Sequence, residues 1–121
     1  MAKILIVDDS SLSRRMMRGI LESDGHQVIE AKDGISAIES YFLEHPDLVL
    51  LDLVMTGMTG EEVLAQLCQI DSSARVIIAT ADLQSLTRQR VEEIGAIGLI
   101  NKPFIAATVL SAVNAVLQGA T

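Results

Sequence analysis

The sequence predicts an α/β fold: a doubly wound, parallel, five-stranded sheet built from five βα units. Three observations predict it. Short apolar, β-branched runs alternate with longer stretches of helical spacing, five of each, within 121 residues, a length that suits one domain spanning 1–121. Most of the strand-like runs are apolar throughout, the pattern of strands covered by helices on both faces. No repeat, low-complexity tract or long linker interrupts the alternation. Right-handed crossovers leave few topologies, and the order 2-1-3-4-5 fits, with the more polar second strand outermost.

Each element has its own signal. Residues 3–8, KILIVD, read as a buried strand. In 10–23, SSLSRRMMRGILES, Ser10 or Ser11 can cap a helix, Leu12, Met16, Ile20 and Leu21 repeat at helical spacing, and Gly25 stops it. Residues 26–31, HQVIEA, form a polar strand suited to an edge. In 33–45, DGISAIESYFLEH, Asp33 caps a helix whose Ile35, Ile38, Tyr41 and Phe42 are expected to face inward, and Pro46 ends it. Residues 47–52, DLVLLD, read as a strand buried on both faces. Thr59 is the cap of the helix over 59–70, and 74–80, ARVIIAT, is the fourth strand. A polar helix over 83–95 ends at Gly95, a fifth strand covers 96–101, and a last helix covers 105–118.

Composition bounds the function. Half the chain is hydrophobic but only Tyr41, Phe42 and Phe104 are aromatic, so the core must be aliphatic. A formal charge of −7 argues against direct binding of nucleic acid or anionic membrane, because phosphate contacts need Lys and Arg. The single Cys68 cannot close an internal disulfide and fits a reducing compartment. The N-terminal apolar run is too short for a signal peptide, and no run reaches the roughly 18 residues of a spanning helix. The expectation is a soluble, cytoplasmic protein.

Against this apolar background the acids are out of place. Burying even a neutral polar group unpaired costs about 2–7 kcal/mol, and a carboxylate costs more. Yet Asp8 and Asp9 close strand 1 and Asp52 closes strand 3. In the order 2-1-3-4-5 those strands are neighbours, so three carboxylates converge at the carboxyl ends of the strands, where ligand sites of such sheets lie. Thr80 ends strand 4, and Asn101 and Lys102 end strand 5. Singly, each is an ordinary turn former, cap or solvated charge. Together they occupy one rim, whereas chance turn formers would scatter over both.

Clustered carboxylates repel and need protons or a cation. Oxygen donors with His26 and His45 at the other ends of their elements favour Mg²⁺, with Mn²⁺ or Ca²⁺ as alternatives. A cation beside a carboxylate, facing a Lys and a hydroxyl, suits phosphoryl transfer. The carboxylate is the nucleophile, and the cations neutralise charge on the equatorial oxygens.

The segments VDDS (7–10), LDLVMTGMTG (51–60), IATA (78–81) and GAIGLINKPF (95–104) resemble the receiver domain of two-component response regulators over essentially the whole chain. The resemblance implies a flavodoxin/CheY-like fold and a phosphorylation-dependent signalling switch. It makes Asp52 the phosphoacceptor and a Mg²⁺ ligand, Asp9 a direct ligand, Asp8 a ligand mainly through water, and the Val54 carbonyl the one that completes the protein ligands. Thr80 and the Ala81 amide would bind one phosphoryl oxygen and Lys102 another, and a cis Lys102–Pro103 bond would aim the ammonium inward. The donor would be a phosphohistidine on a sensor histidine kinase or phosphotransfer protein. The chain would be no enzyme in its own right, but a phosphoacceptor assisting its own phosphotransfer and autodephosphorylation. Output would pass through helix 4, strand 5 and helix 5 to a downstream protein or a second copy. Both a stand-alone regulator and a receiver excised from a larger one remain open, as does a receiver-fold interaction module working without phosphorylation.

Two positions depart from the family pattern. Thr56 stands where Pro is usual, and Leu99 stands at the switch position paired with Thr80, where Tyr or Phe is common. Val54 and Asp82 would flank the phosphoryl group. Helix 5 carries no charge from Ile105 onward. Ala106, Leu110 and Asn114 on its outer side are candidates for a docking face, where surface helices normally carry charge. Arg14, Arg15 and Arg18 form the densest basic cluster, read as a solvated face or a kinase or phosphatase contact. A haloacid-dehalogenase-like phosphatase would want a second Asp at position 54, which is Val. A flavodoxin-type flavin site would need a phosphate-cradling loop where DDSSLS is acidic.

Overall fold

The computed structural model describes residues 2–81 and 85–119. Its elements alternate without exception: β1 (Lys3–Val7), α1 (Ser11–Ser23), β2 (Gln27–Ala31), α2 (Gly34–Glu44), β3 (Leu48–Leu51), α3 (Gly60–Ile70), β4 (Val76–Thr80), α4 (Ser85–Ile94), β5 (Gly98–Asn101) and α5 (Ala106–Leu117). The sheet is parallel throughout, in the order β2-β1-β3-β4-β5 that the sequence predicts. β2 is an edge strand and carries exposed Gln27 and Glu30, whereas β3 and β4 are buried at every position.

Alternation along the strands divides the core in two. Leu5, Val7, Val49, Leu51, Val76 and Ile78 face α2, α3 and α4. Ile4, Ile6, Leu48, Leu50, Ile77 and Ile100 face α1 and α5, meeting Met17, Leu21, Val109, Val113 and Val116. Local chemistry starts the helices as expected. The Asp33 carboxylate accepts from the Ser36 N–H, and Thr59 and Glu62 form a reciprocal capping box. The expected start of α4, Leu83 and Gln84, lies outside the described residues. Among the described residues no helix is long and apolar enough to cross a membrane.

Helix phase differs from the expectation in two places. In α1 the buried residues are Met17 and Leu21, while Leu12 and Met16 are exposed. In α2, Ile35 and Phe42 are 66% and 65% exposed, and Gly34, Ala37 and Tyr41 turn inward. Space decides this. A Cβ on Gly34 would lie 2.8 Å from Met58 Cβ and Val63 Cγ2, so α2 seats on its small residues. Tyr41 then reaches Asp71 with a hydroxyl bond of 2.8 Å.

Burial, and then that bond, push the Tyr41 phenol above its usual range, while the Ser73 hydroxyl and then Tyr41 hold Asp71 below its own. Tyr41→Phe is expected to lower the thermal midpoint at neutral pH by roughly a few degrees. A depressed carboxylate pKa stabilises the fold above the unfolded value and loses that contribution as pH falls through the folded one. The penalty should therefore be full above about pH 4 and shrink below it, which melting curves of both proteins across pH will check.

Candidate functional site

The carboxyl ends of β1, β3, β4 and β5 meet at one rim. Two of its acids are buried, Asp8 at 3% and Asp52 at 5% exposure, while Asp9 is exposed. One carboxylate oxygen from each of Asp8, Asp9 and Asp52 lies within 4.8 Å of the others. Lys102 Nζ sits 2.8 Å from Asp8 Oδ2 and 3.1 Å from Asp52 Oδ2, with the Phe104 ring centroid 5.8 Å away. Burial works to lower the Lys102 pKa, but bonds to Asp8 and Asp52 outweigh it and hold the ammonium above its usual range.

Backbone geometry fixes each acid. The Asp52 N–H donates to Val7 O at 2.9 Å, locking the end of β3 to β1. Asp8 Oδ1 accepts from Ser10 N at 2.9 Å, Asp52 Oδ1 from Val54 N at 3.2 Å, and Asp9 Oδ2 from Thr56 N at 3.2 Å. That last bond uses an N–H that proline would lack. The Lys102 N–H donates to Thr80 O at 3.1 Å, tying β5 to β4, and the Lys102–Pro103 peptide is cis.

Three carboxylates against one ammonium leave a formal charge of −2 in a small, half-enclosed volume. The acids gathered there offer only oxygen donors. That donor set and that charge fit a hard divalent cation such as Mg²⁺, and suit Zn²⁺ or a soft metal poorly. Asp8, Asp9 and Asp52 are the side chains able to hold it.

The other expected residues are distributed less uniformly. The Thr80 side chain is fully buried at the end of β4, beside exposed Ala81. The Val54 side chain points to solvent. Leu99 is half-buried against the core on the α2–α4 side. Asp82 lies outside the described residues. Of the three candidates on α5, Ala106 is exposed, but Leu110 is half-buried against the core on the α1 side. Asn114 is also half-buried. Its Nδ2 donates to Asp24 Oδ2 at 3.0 Å and its Oδ1 faces His26 Nε2 at 3.2 Å. Leu110 and Asn114 are thus partly engaged within the chain, Asn114 because α5 leans on the turn before β2. His26 lies at the opposite rim, as expected for a residue outside the acidic site.

Two contributors to the site carry little signal in the sequence. Thr56 stands out there only as a missing proline, not as the source of an N–H for Asp9. Gly60 presses against the phosphoacceptor candidate's own backbone: a Cβ there would fall on the Asp52 carbonyl oxygen and the Leu53 Cα. Its signal, one glycine after a threonine cap, is too common to single it out.

Comparison with known proteins places this rim. The family model described as the response regulator receiver domain matches residues 4–114. The chemotaxis protein CheY of Bacillus subtilis is 41% identical over 118 residues, covering 96% of this chain and 98% of the relative. The sporulation initiation phosphotransferase F of the same organism is 40% identical over 102 residues, covering 84% and 82%. Among solved structures, the CheX–CheY–BeF3–Mg²⁺ complex of Borrelia burgdorferi superposes with a TM-score of 0.91 at 33% identity, over 94% of this chain and 87% of that one. With the family model spanning all five strands and the acids at their shared rim, the chain belongs to the response regulator receiver domains, as the receiver of a CheY-like two-component regulator.

Proposed function

We propose that the chain is a phosphorylation-dependent switch that accepts a phosphoryl group on Asp52 from a phosphohistidine of a sensor kinase or phosphotransfer protein. One observation carries the reading: a nearly buried carboxylate at a strand end has an ammonium 3.1 Å away and two further carboxylates beside it. An Asp52 oxygen attacks phosphorus, the P–N bond to the donor imidazole breaks, and the imidazole leaves with the electron pair. The product is an acyl phosphate. Lys102 transfers its bond from Asp52 Oδ2 to a phosphoryl oxygen, and the Thr80 hydroxyl with the Ala81 amide takes another. Asp8, Asp9, Asp52 and the Val54 carbonyl would hold Mg²⁺, or Mn²⁺ in its place, which when bound neutralises phosphoryl charge. Partner and process stay generic, since the relatives serve both chemotaxis and sporulation by name. The same reading makes the chain cytoplasmic and assigns it no catalytic turnover beyond its own phosphorylation and dephosphorylation.

Intact-mass measurement after acetyl phosphate and Mg²⁺ tests this. One labile phosphoryl adduct is expected, absent from Asp52→Asn. No adduct overturns the reading and leaves a receiver-fold interaction module; an adduct retained in that variant overturns the assignment to Asp52.

Output through α4, β5 and α5 belongs to the same proposal. Leu99 has less volume than the usual aromatic and no hydroxyl to exchange partners when Thr80 moves. Beryllofluoride with Mg²⁺ is expected to shift the amides of Leu99 and of 84–90 less than in relatives bearing Tyr or Phe there. Heteronuclear NMR on both proteins checks it.

A further inference from the structure

We propose that Arg14 is a positioning residue for the acidic site, acting through the backbone carbonyl of Asp8 and aimed by Glu30 on the edge strand; this rests on the Mg²⁺-dependent reading above. Arg14 is half-buried, with its side chain 17% exposed. Its Nη1 donates to the Asp8 carbonyl oxygen at 2.7 Å, and its Nε donates to Glu30 Oε1 at 2.9 Å. The guanidinium fork thus spans from β2 to the peptide joining Asp8 and Asp9. The second oxygen of Glu30 is taken by Arg18 Nε, and Arg18 Nη1 donates to Glu22 at 3.0 Å. These bonds, Arg18's foremost, hold the Glu30 carboxyl below its usual range, so it stays ionised at neutral pH and keeps Arg14 in place.

The consequence falls on Asp9. It is exposed, and the loop beyond β3 reaches it through the single N–H of Thr56. Where its carboxylate points depends on the orientation of the Asp8–Asp9 peptide, and Arg14 grips the oxygen of that peptide. Asp8 itself is held from the other side by Ser10 N and Lys102. Arg14 is therefore to this oxygen cluster what a hydrogen-bonding partner behind a ligand is to a metal, and removal of such partners typically weakens metal affinity about 10–100-fold. A lysine would not serve equally, because the carbonyl and the carboxylate are held here by two separate nitrogens of a planar fork, and an ammonium offers only one.

Removing Arg14 alone would also remove a positive charge near the cation, which by itself strengthens metal binding. The decisive variant is therefore the double Arg14→Met, Glu30→Gln, which leaves the formal charge unchanged. Mg²⁺ affinity is read by amide-shift titration at neutral pH, and thermal midpoints are read without Mg²⁺. The double variant is expected to bind Mg²⁺ about tenfold more weakly than wild type, with Arg14→Lys falling between. Should the double variant not fold, Arg14→Lys against wild type decides. Affinity equal to wild type in the deciding variant, even with a lowered midpoint, marks a merely structural ion pair and overturns the inference alone. A wild-type protein that binds no Mg²⁺ overturns the reading of the site and this inference with it.

Discussion

Lys102→Met is expected to slow phosphoryl labelling of Asp52 by about a hundredfold at saturating Mg²⁺, while Mg²⁺ itself binds more tightly. The two effects have one origin. The ammonium lies 2.8 Å from Asp8 and 3.1 Å from Asp52, both nearly buried, and is the only cation bonded to either side chain among the described residues. Methionine keeps much of the apolar stem but loses the charge and its donors. A preorganised donor aimed at developing charge contributes about 10²–10³ in rate, because it needs no reorganisation as the charge appears. Its loss also leaves the three acids uncompensated, so a divalent cation gains affinity and the metal-free fold loses stability. Labelling rates by mass spectrometry, with Mg²⁺ titrations followed by amide shifts, measure both. Unchanged labelling would mean that the ammonium pairs the two acids without reaching the phosphoryl group.

The pH dependence of that residue has a definite sign. Its folded pKa is raised, so its charge stabilises the fold below the unfolded value, about 10.4, and the contribution disappears only as pH passes the folded one. In the metal-free protein Lys102 therefore keeps its charge up to about pH 10.

What was legible in the sequence was whatever depends on near neighbours or on strand ends. Asp33 and Thr59 cap helices through bonds to residues three positions on, so the amino-acid string contains both partners. Asp8, Asp9 and Asp52 could be brought together because each ends a strand and one permutation of strand order makes those strands adjacent. Helix phase was less legible. Counting apolar residues in α2 favours Ile35 and Phe42, yet the helix seats on Gly34 and Ala37 because Met58 and Val63 leave no room for a Cβ at position 34. Ile38, Phe42, Leu43 and Ile70 are left lining a shallow groove between α2 and α3. Asn114 is illegible for the same reason: its partners, Asp24 and His26, are 90 and 88 residues away.

Gly60→Ala is the sharpest test of this non-local control. Inside an exposed helix the change ordinarily stabilises by up to about 1 kcal/mol, since alanine has the better helix propensity. Gly19 in α1 meets that description, with no atom within 4 Å of where a Cβ would stand, and Gly19→Ala should behave so. At Gly60 the added carbon would collide with the Asp52 carbonyl oxygen and the Leu53 Cα, which are backbone and cannot rotate aside. The Gly60 N–H, bonded to Leu53 O at 3.1 Å, pins the same junction. Either α3 withdraws from β3 or the Asp52 peptide is displaced, and overpacking of this kind costs about 1–3 kcal/mol or more. The expected result is a loss near 3 kcal/mol by urea denaturation, with labelling falling by up to about a hundredfold under conditions where the variant is folded, because a misplacement of about 1 Å is enough for that. Gly34→Ala should cost less, since it meets Met58 and Val63 side-chain atoms. A Gly60→Ala protein with normal stability and normal labelling would mean that the strand end carrying Asp52 is free to move, and that the placement of its carboxylate is set by Lys102 and the acids rather than by the packing of α3.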